Sequence, residues 1–190
     1  FQQALAVDPQ NLKAQVGIAY VHLDQQDHLS ALPAFEQALR LDDEDVTART
    51  GLCETCLALG DAASQHKDWP AARQYYQRIL TLNPEHSEAH QHMLDSYYQQ
   101  AEATLSQQGK LPALRVYQRA LKYAPEDENL QQRCQQLEAL LRQNAIAAVI
   151  AASQQDLADH QYQSALARLQ AGLQSYPGEA QLQDALEKVQ

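Results

Sequence analysis

The fold is decided by one stretch, Ala113-Leu-Arg-Val-Tyr-Gln-Arg-Ala-Leu-Lys-Tyr-Ala-Pro125. Ala113, Tyr117 and Ala120 are spaced four and then three residues apart, which places them on one face of an α-helix. Pro125 comes five residues after Ala120, and a proline there predicts the end of that helix. The stretch therefore combines a small residue, an aromatic residue and a second small residue on one helix face, followed by a proline.

The same pattern recurs along the chain. The other copies are Phe1 and Ala4 with Pro9; Ala31, Phe35 and Ala38 with Asp43; Ala72, Tyr76 and Ile79 with Pro84; and Ala165, Leu169 and Gly172 with Pro177. The last positions of the five copies are 34, 41, 41 and 52 residues apart. A period of this size predicts stacked helix pairs, because each pair buries its apolar face only against its neighbours.

The composition predicts a helical protein and excludes several classes of partner. Gly and Pro number only 6 and 7 in 190 residues, while Ala, Leu, Gln and Glu dominate. The net charge of −10 argues against nucleic acid or an anionic membrane as a partner, and no apolar run reaches the ~18 residues of a membrane span. Three cysteines, an odd number, fit a reducing compartment, so we predict a cytoplasmic location. The start at Phe1, within a repeat, indicates a part of a larger protein.

The first full repeat, residues 12–45, resembles the tetratricopeptide repeat (TPR). Ile18 and Ala19 stand where the family has Leu-Gly, and His22 stands at its tyrosine position. Gln15 replaces the family's tryptophan. The resemblance implies an all-α solenoid of stacked antiparallel helix pairs, wound into a right-handed superhelix. The expected single array comprises a partial repeat 1–11, the repeats 12–45, 46–86, 87–127 and 128–179, and a terminal helix 180–190 that is either a cap or the first helix of a further repeat.

The longer periods predict longer first helices, which we call A helices; the second helix of each repeat is its B helix. The second and third repeats carry seven extra residues, close to two helical turns, so in the third repeat we expect an unbroken helix from about Ser87 to Gln107, with Gly109 as its C-cap. Gly60 leaves two possibilities for the second repeat, a continuous helix or a loop at 61–67. The last period predicts one very long helix over about 126–159, with a break near Asn144 as the alternative.

Cysteines and histidines suggest chemistry that the rest of the pattern does not support. Cys53 and Cys56 form a C-x-x-C, but they occupy repeat positions that are buried in the other repeats. A redox or zinc site needs a low-pKa thiolate or a second ligand pair, and neither is visible. His86, His90 and His92 cluster near one helix start without a third ligand on the same face. We therefore predict no metal site, no cofactor and no enzymatic activity.

The resemblance places the functional surface on the A helices, in the concave groove of the solenoid. The residues predicted to line a peptide-binding groove are Lys13, Tyr20, Leu23, Asp24, Glu54, Leu57, Gln91, Asp95 and Tyr98. For each tyrosine or leucine the alternative is packing against the next A helix. Some TPR domains hold the C-terminal carboxylate of chaperones with Lys and Asn, but here Val16 and Tyr20 occupy those positions.

We therefore predict a protein–protein interaction scaffold that binds a peptide segment carrying basic and hydrophobic side chains, since acidic residues surround the apolar ones in the groove. The alternative is that the chain is the non-catalytic TPR region of a larger enzyme, such as a kinase, a glycosyltransferase or a protease. Tyr76 and Tyr117 are predicted to be core residues and not ligand groups, because they occupy the aromatic position of the repeat pattern.

Overall fold

The computed structural model describes residues 1–189, without the side chain of Gln2. Within these residues the chain forms ten α-helices and no β-strand, which confirms the all-α prediction. The helices are α1 (Gln2–Val7), α2 (Leu12–Asp24), α3 (His28–Leu41), α4 (Val46–Gln65), α5 (Trp69–Leu82), α6 (Ser87–Gln108), α7 (Lys110–Tyr123), α8 (Glu128–Ala158), α9 (Tyr162–Ser175) and α10 (Ala180–Glu187). The even-numbered helices are A helices and the odd-numbered helices are B helices.

The chain divides into two compact units, the first over Phe1–Ser106 and the second from Gln107 onward. In unit 1 α1 packs against α2, α2 against α3, α3 against α4, and α4 against α5. In unit 2 α7 packs against α8, α8 against α9, and α9 against α10. Both units therefore consist of helix pairs stacked in chain order, as the repeat pattern predicts. The superhelical course of the chain stays a prediction.

The A helices after the first repeat are extended, as predicted. α4 has 20 residues and α6 has 22, against 13 in α2. Gly60 lies inside α4 and does not end it, so the loop alternative at 61–67 is wrong. α8 is one helix of 31 residues that runs through Asn144 without a break. The absence of Pro and Gly between residues 128 and 158 explains its length.

Side chains cap most of the helix starts. Asn11, Asp27, Asp45, Asp68 and Asp127 each accept a hydrogen bond from the backbone N–H three residues ahead, at 2.7–3.2 Å. Such caps satisfy N–H groups that have no partner inside the helix. Six of the eight helices from α2 to α9 thus have a capping side chain at their N-terminus: five are capped by Asn or Asp, and α6 is capped by a histidine.

α6 begins where the sequence predicts it. The Asn83-Pro84 pair before it resembles a helix N-terminus, but Asn83 follows the end of α5 and its side chain accepts from the N–H of Glu85 at 3.2 Å. α6 begins at Ser87, and Nδ1 of His86 accepts the N–H of Ala89 at 3.2 Å. The proline therefore lies in the turn between the two helices. At the other end of α6, Gly109 has a φ of 93°, the left-handed region that favours glycine.

Aromatic rings of the B helices pack against glycines of the A helices. Phe35 lies against Gly51, and Tyr76 lies against Gly60, where a Cβ atom would collide with the ring. Tyr76 and Tyr117 are each only 1% exposed, which confirms that both are core residues. A close ring–glycine contact also gives the reason why a glycine is found in the middle of α4.

Unit 2 has an aliphatic core around α8, α9 and α10. Ile146, Leu169 and Leu182 are buried together, with Val149 and Leu173 packed against them. Leu169 occupies the repeat position that holds Phe35, Tyr76 and Tyr117 in the preceding repeats. Unit 2 therefore fills the aromatic position of its last repeat with a branched aliphatic side chain.

Candidate functional site

The nine predicted groove residues all lie on the A helices α2, α4 and α6 of unit 1. The exposed ones are Lys13, Asp24, Glu54, Gln91 and Asp95, and the half-buried ones are Tyr20, Leu23, Leu57 and Tyr98. The apolar members are thus partly covered while the charged members are open to solvent. This arrangement leaves partly exposed apolar side chains beside carboxylates.

Tyr20 is anchored to the neighbouring repeat. Its hydroxyl donates to the carbonyl oxygen of Thr47 at 3.1 Å, and its ring meets the ring of Phe35 edge-on, with centroids 5.0 Å apart. Burial raises the pKa of Tyr20, and the carboxylates of Glu54 and Asp45 raise it further. Tyr20 therefore packs between repeats, as the alternative allowed, while facing acidic side chains.

A cleft with a volume of about 320 Å³ opens between α4 and α6 in unit 1. Its lining residues are Asp61, Ser64 and Gln65 of α4, Tyr76 of α5, and His92, Asp95 and Gln99 of α6. We call it the Asp61–Asp95 cleft. Asp95 belongs to the groove predicted from the sequence, and the other six lining residues do not.

The carboxylate of Asp61 is held by two donors at the side of this cleft. Its Oδ1 accepts from the hydroxyl of Tyr76 at 2.8 Å and from Nδ1 of His92 at 2.7 Å. Since a carboxylate only accepts, His92 carries a proton on Nδ1. The rings of Tyr76 and His92 also meet edge-on, with centroids 5.6 Å apart. Burial, then the hydrogen bond to Asp61, raise the pKa of Tyr76, so its hydroxyl stays a donor at neutral pH.

Each of the two carboxylates retains an oxygen that no protein group binds. Asp95 accepts from Nε2 of Gln91 through Oδ1 at 3.0 Å, and Asp61 also uses only Oδ1. Within residues 1–189 neither Oδ2 atom has a protein hydrogen-bond partner. Open carboxylate oxygens in one cleft suit a ligand group that carries positive charge and several N–H donors.

The cleft has no cationic side chain among its described lining residues. Arg73 of α5 also reaches α6, but it donates to Oε1 of Gln100 at 2.8 Å and stacks over the ring of Tyr97 at 4.2 Å. The guanidinium of Arg73 therefore contacts Tyr97 and Gln100. The negative charge of Asp61 and Asp95 is therefore not neutralised by an arginine or lysine that lines the cleft.

The sequence reasoning missed most of the cleft because of where its residues lie. Asp61, Ser64 and Gln65 belong to the seven-residue extension of α4, a segment for which the 34-residue family pattern has no positions. In the sequence, His92 stands out only as a member of a histidine cluster that could bind a metal. The signal that could have found the site is the run of polar residues on an extension that continues an apolar helix.

Cys56 and Cys134 are core residues and Cys53 is half-buried, and all three have raised thiol pKa values. Burial raises the pKa of Cys56 to about 12, and it also raises the pKa values of Cys53 and Cys134. These shifts are opposite to those of reactive thiols, whose pKa values are lowered. His90 donates from Nε2 to the carbonyl oxygen of Pro84 at 2.7 Å. No group of three or more potential metal ligands occurs in the part of the chain that the structure describes.

The comparison with protein families matches residues 10–85 to the tetratricopeptide repeat. Residues 10–85 are therefore similar to tetratricopeptide repeats. TPR proteins are, as a class, protein–protein interaction scaffolds without catalytic activity of their own, and the helix pairs of this chain have that architecture. No curated protein matches the chain in sequence.

The solved structures that match the chain have low sequence identity to it. YrrB, described as a TPR protein with an unusual peptide-binding site, is 17% identical, with 98% of this chain and 97% of YrrB covered and a TM-score of 0.30. A TPR protein from Parabacteroides merdae is 15% identical, with 99% and 89% covered and a TM-score of 0.35. TTC0263, a TPR protein from Thermus thermophilus, is 17% identical, with 94% and 98% covered and a TM-score of 0.32.

Across residues 1–189, no helix combines the length and the apolar character that a membrane crossing requires.

Proposed function

We propose that this chain binds a peptide segment of a partner protein on the A helices of unit 1, and that a lysine or arginine of the peptide enters the Asp61–Asp95 cleft. The observation that supports this proposal is the pair of carboxylates, each with an open oxygen, in a cleft whose described lining has no cation. A guanidinium or ammonium group there would form charge-assisted hydrogen bonds, which are stronger than neutral ones.

The cleft is suited to binding because part of it is already ordered. Tyr76 and His92 fix the carboxylate of Asp61 before any ligand arrives. A preorganised carboxylate reduces the conformational entropy that binding would otherwise cost. The long apolar stem of a lysine or arginine would also pack along the walls of the cleft while its charged end reaches the acids.

Apolar contacts would come from the predicted groove residues outside the cleft. Leu23, Leu57 and Tyr98 are half-buried, so each offers part of its surface to a hydrophobic side chain of the peptide. Asp24 and Glu54 are exposed and add negative charge. The preferred peptide thus combines basic and hydrophobic residues, and a chaperone-type acidic C-terminus should not bind in this groove.

The test is an array of twelve-residue peptides in which Arg or Lys stands beside Leu or Phe, probed with three forms of the protein. The cleft variant is Asp61→Asn with Asp95→Asn, which preserves shape and removes charge. The matched control is Asp43→Asn with Glu85→Gln, two exposed acids of unit 1 outside the cleft. We expect the cleft variant to bind on the order of tenfold more weakly and the control to bind like the wild type.

Circular dichroism of each variant checks that the helices are intact. Binding of the wild type should also weaken as salt rises, because exposed charges are screened beyond ~8–10 Å at physiological ionic strength. Equal binding by the cleft variant and the wild type would show that the cleft is not the site. Equal loss in the control would show a general charge effect.

A further inference from the structure

The exposed face of α7 in unit 2 carries an unusual concentration of positive charge. α7 contains four cations, Lys110, Arg115, Arg119 and Lys122, and no acidic residue, in a chain whose net charge is −10. The other B helices of full repeats do not share this composition: α3 and α9 each have a single arginine, and α5 has two.

Three of these cations form a stripe along the helix. Arg115, Arg119 and Lys122 are four and then three residues apart, so they share one face, and all three are exposed. Together with Gln118, Leu121 and Pro125 they line a groove of about 610 Å³. We call this surface the α7 stripe.

The α7 stripe forms no ion pair in the described part of the protein. None of its three cations lies within ion-pair distance of an acid among residues 1–189. Glu138 of α8 borders the groove, and its Oε1 accepts from Nε2 of Gln118 at 3.0 Å. Like charges one turn apart on a helix repel each other, so the stripe costs some helix stability.

A comparison with α5 shows that the equivalent arginine of the preceding repeat is paired. Arg78 lies 41 residues before Arg119, at the equivalent repeat position, and it is paired with Glu36 of α3. The residue 41 positions after Glu36 is the neutral Gln77. The acid that neutralises Arg78 is therefore not repeated in the sequence, whereas the arginine is.

We propose that the α7 stripe docks a short acidic segment of a partner protein that also carries an apolar residue. The three cations span about 10 Å along the helix, which matches two or three acidic side chains. Leu121 and Pro125 provide apolar surface in the same groove. This surface differs from the Asp61–Asp95 cleft in sign and in location, since the cleft belongs to unit 1.

A short acidic segment fits better than a long polyanion. Unit 1 has 15 acidic residues and only 6 lysines and arginines. A nucleic acid or an anionic membrane is a large polyanion, so the acidic residues of unit 1 would repel it even where α7 attracts it. A short peptide meets mainly the local field of the stripe, because charges farther than ~8 Å are screened at physiological salt.

The test measures fluorescence polarisation of a fluorescein-labelled peptide of sequence Glu-Glu-Leu-Asp-Glu-Leu, with the full chain titrated at low salt. The stripe variant is Arg115→Gln, Arg119→Gln and Lys122→Gln. The matched control removes the same charge elsewhere, with Arg40→Gln, Lys67→Gln and Lys188→Gln, all at exposed positions. We expect about a tenfold increase in Kd for the stripe variant and at most about a twofold increase for the control.

Three further measurements decide the kind of partner. A peptide with Gln and Asn in place of the acids should not bind, and a duplex DNA and an anionic vesicle of phosphatidylserine and phosphatidylcholine should bind more weakly than the acidic peptide. Tighter binding of DNA or of vesicles to the stripe would overturn the proposal, and so would equal Kd values for the stripe variant and the wild type. Circular dichroism of the stripe variant confirms that α7 is folded.

Discussion

Tyr76 of unit 1 and Leu169 of unit 2 occupy the same position of the repeat, yet their surroundings differ. Both are fully buried. The hydroxyl of Tyr76 reaches Asp61 at the side of an open cleft, whereas Leu169 ends in an aliphatic cluster with Ile146 and Leu182. A buried hydroxyl requires a hydrogen-bond partner, so a tyrosine at this position brings a polar group to it, and a leucine does not. The difference shows how one repeat position can support either a polar cleft or a closed core.

The largest effect on the free energy of unfolding should come from truncating the side chain at the aromatic position of the repeat. Tyr76→Ala removes a side chain that is 1% exposed and should lower the free energy of unfolding by ~3–5 kcal/mol. Tyr117→Ala should have a similar effect in unit 2, for the same reason. Leu169→Ala should cost ~2–5 kcal/mol. Urea unfolding followed by circular dichroism measures all three, and a loss below ~1 kcal/mol would contradict the core assignment.

The next prediction compares two glycines inside helices, Gly60 and Gly172, whose neighbouring side chains differ in how easily they can move. In Gly60→Ala the new Cβ would collide with the ring of Tyr76, and a ring cannot shift without moving its helix. In Gly172→Ala the closest atoms are methyl groups of Val149, at 2.9 Å, and Leu182, at 3.5 Å. We expect Gly60→Ala to cost ~1–3 kcal/mol.

For Gly172→Ala we expect a smaller change, because aliphatic ends can move and alanine has a higher helix propensity than glycine by ~1 kcal/mol. Paired urea titrations of the two variants make the comparison. A larger loss for Gly172→Ala than for Gly60→Ala would show that the aliphatic core of unit 2 is the less adaptable one.

A smaller effect isolates the hydroxyl of Tyr76. Tyr76→Phe keeps the ring in place but removes the hydrogen bond to Asp61, and should cost about 1–3 kcal/mol, as for hydrogen bonds to charged groups. His92 would still hold the carboxylate. If the cleft binds a cationic side chain, this variant should also reduce peptide affinity, because Asp61 is less well ordered. Stability and binding are measured on the same protein, and an unchanged unfolding free energy would contradict the role of the bond.

The repeat pattern predicts the fold well because it depends on spacing, and spacing survives large changes in residue identity. The 31-residue α8 follows from the uninterrupted helix-forming sequence between residues 128 and 158. The cleft was harder to predict, because it depends on contacts between α4, α5 and α6 that a linear pattern does not contain. His92 lies 31 residues from Asp61 in sequence but 2.7 Å away in space. α6 begins at Ser87, as the repeat boundary predicts, although Asn83-Pro84 before it resembles a helix cap and forms a turn.

The smallest effect concerns a second bound carboxylate, Asp156 of unit 2, which is held by a cation as well as by a neutral donor. Arg168 donates to it at 2.9 Å, and Ser164 donates at 3.1 Å. The hydrogen bond from Arg168 is the main reason why the pKa of Asp156 lies below its usual value, and Ser164 adds to the effect. A depressed pKa means that the folded state favours the charged carboxylate, so this contribution to stability is present above the ordinary pKa of ~3.9.

The contribution is lost as the pH falls through the lower pKa of the folded state. Asp156→Asn should therefore lower Tm slightly at pH 7, by ~1–3 °C, since a solvent-accessible ion pair contributes little. At an acidic pH below the folded-state pKa, the wild type loses the charge that distinguishes it from the variant, and the difference in Tm should become smaller. Glu187→Gln, an exposed acid without an ion pair among residues 1–189, serves as the control and should leave Tm unchanged at both pH values. A difference in Tm that is the same at both pH values would mean that Asp156 stabilises unit 2 through its shape and its hydrogen bond to Ser164, because those features, unlike the charge, are shared by the protonated acid.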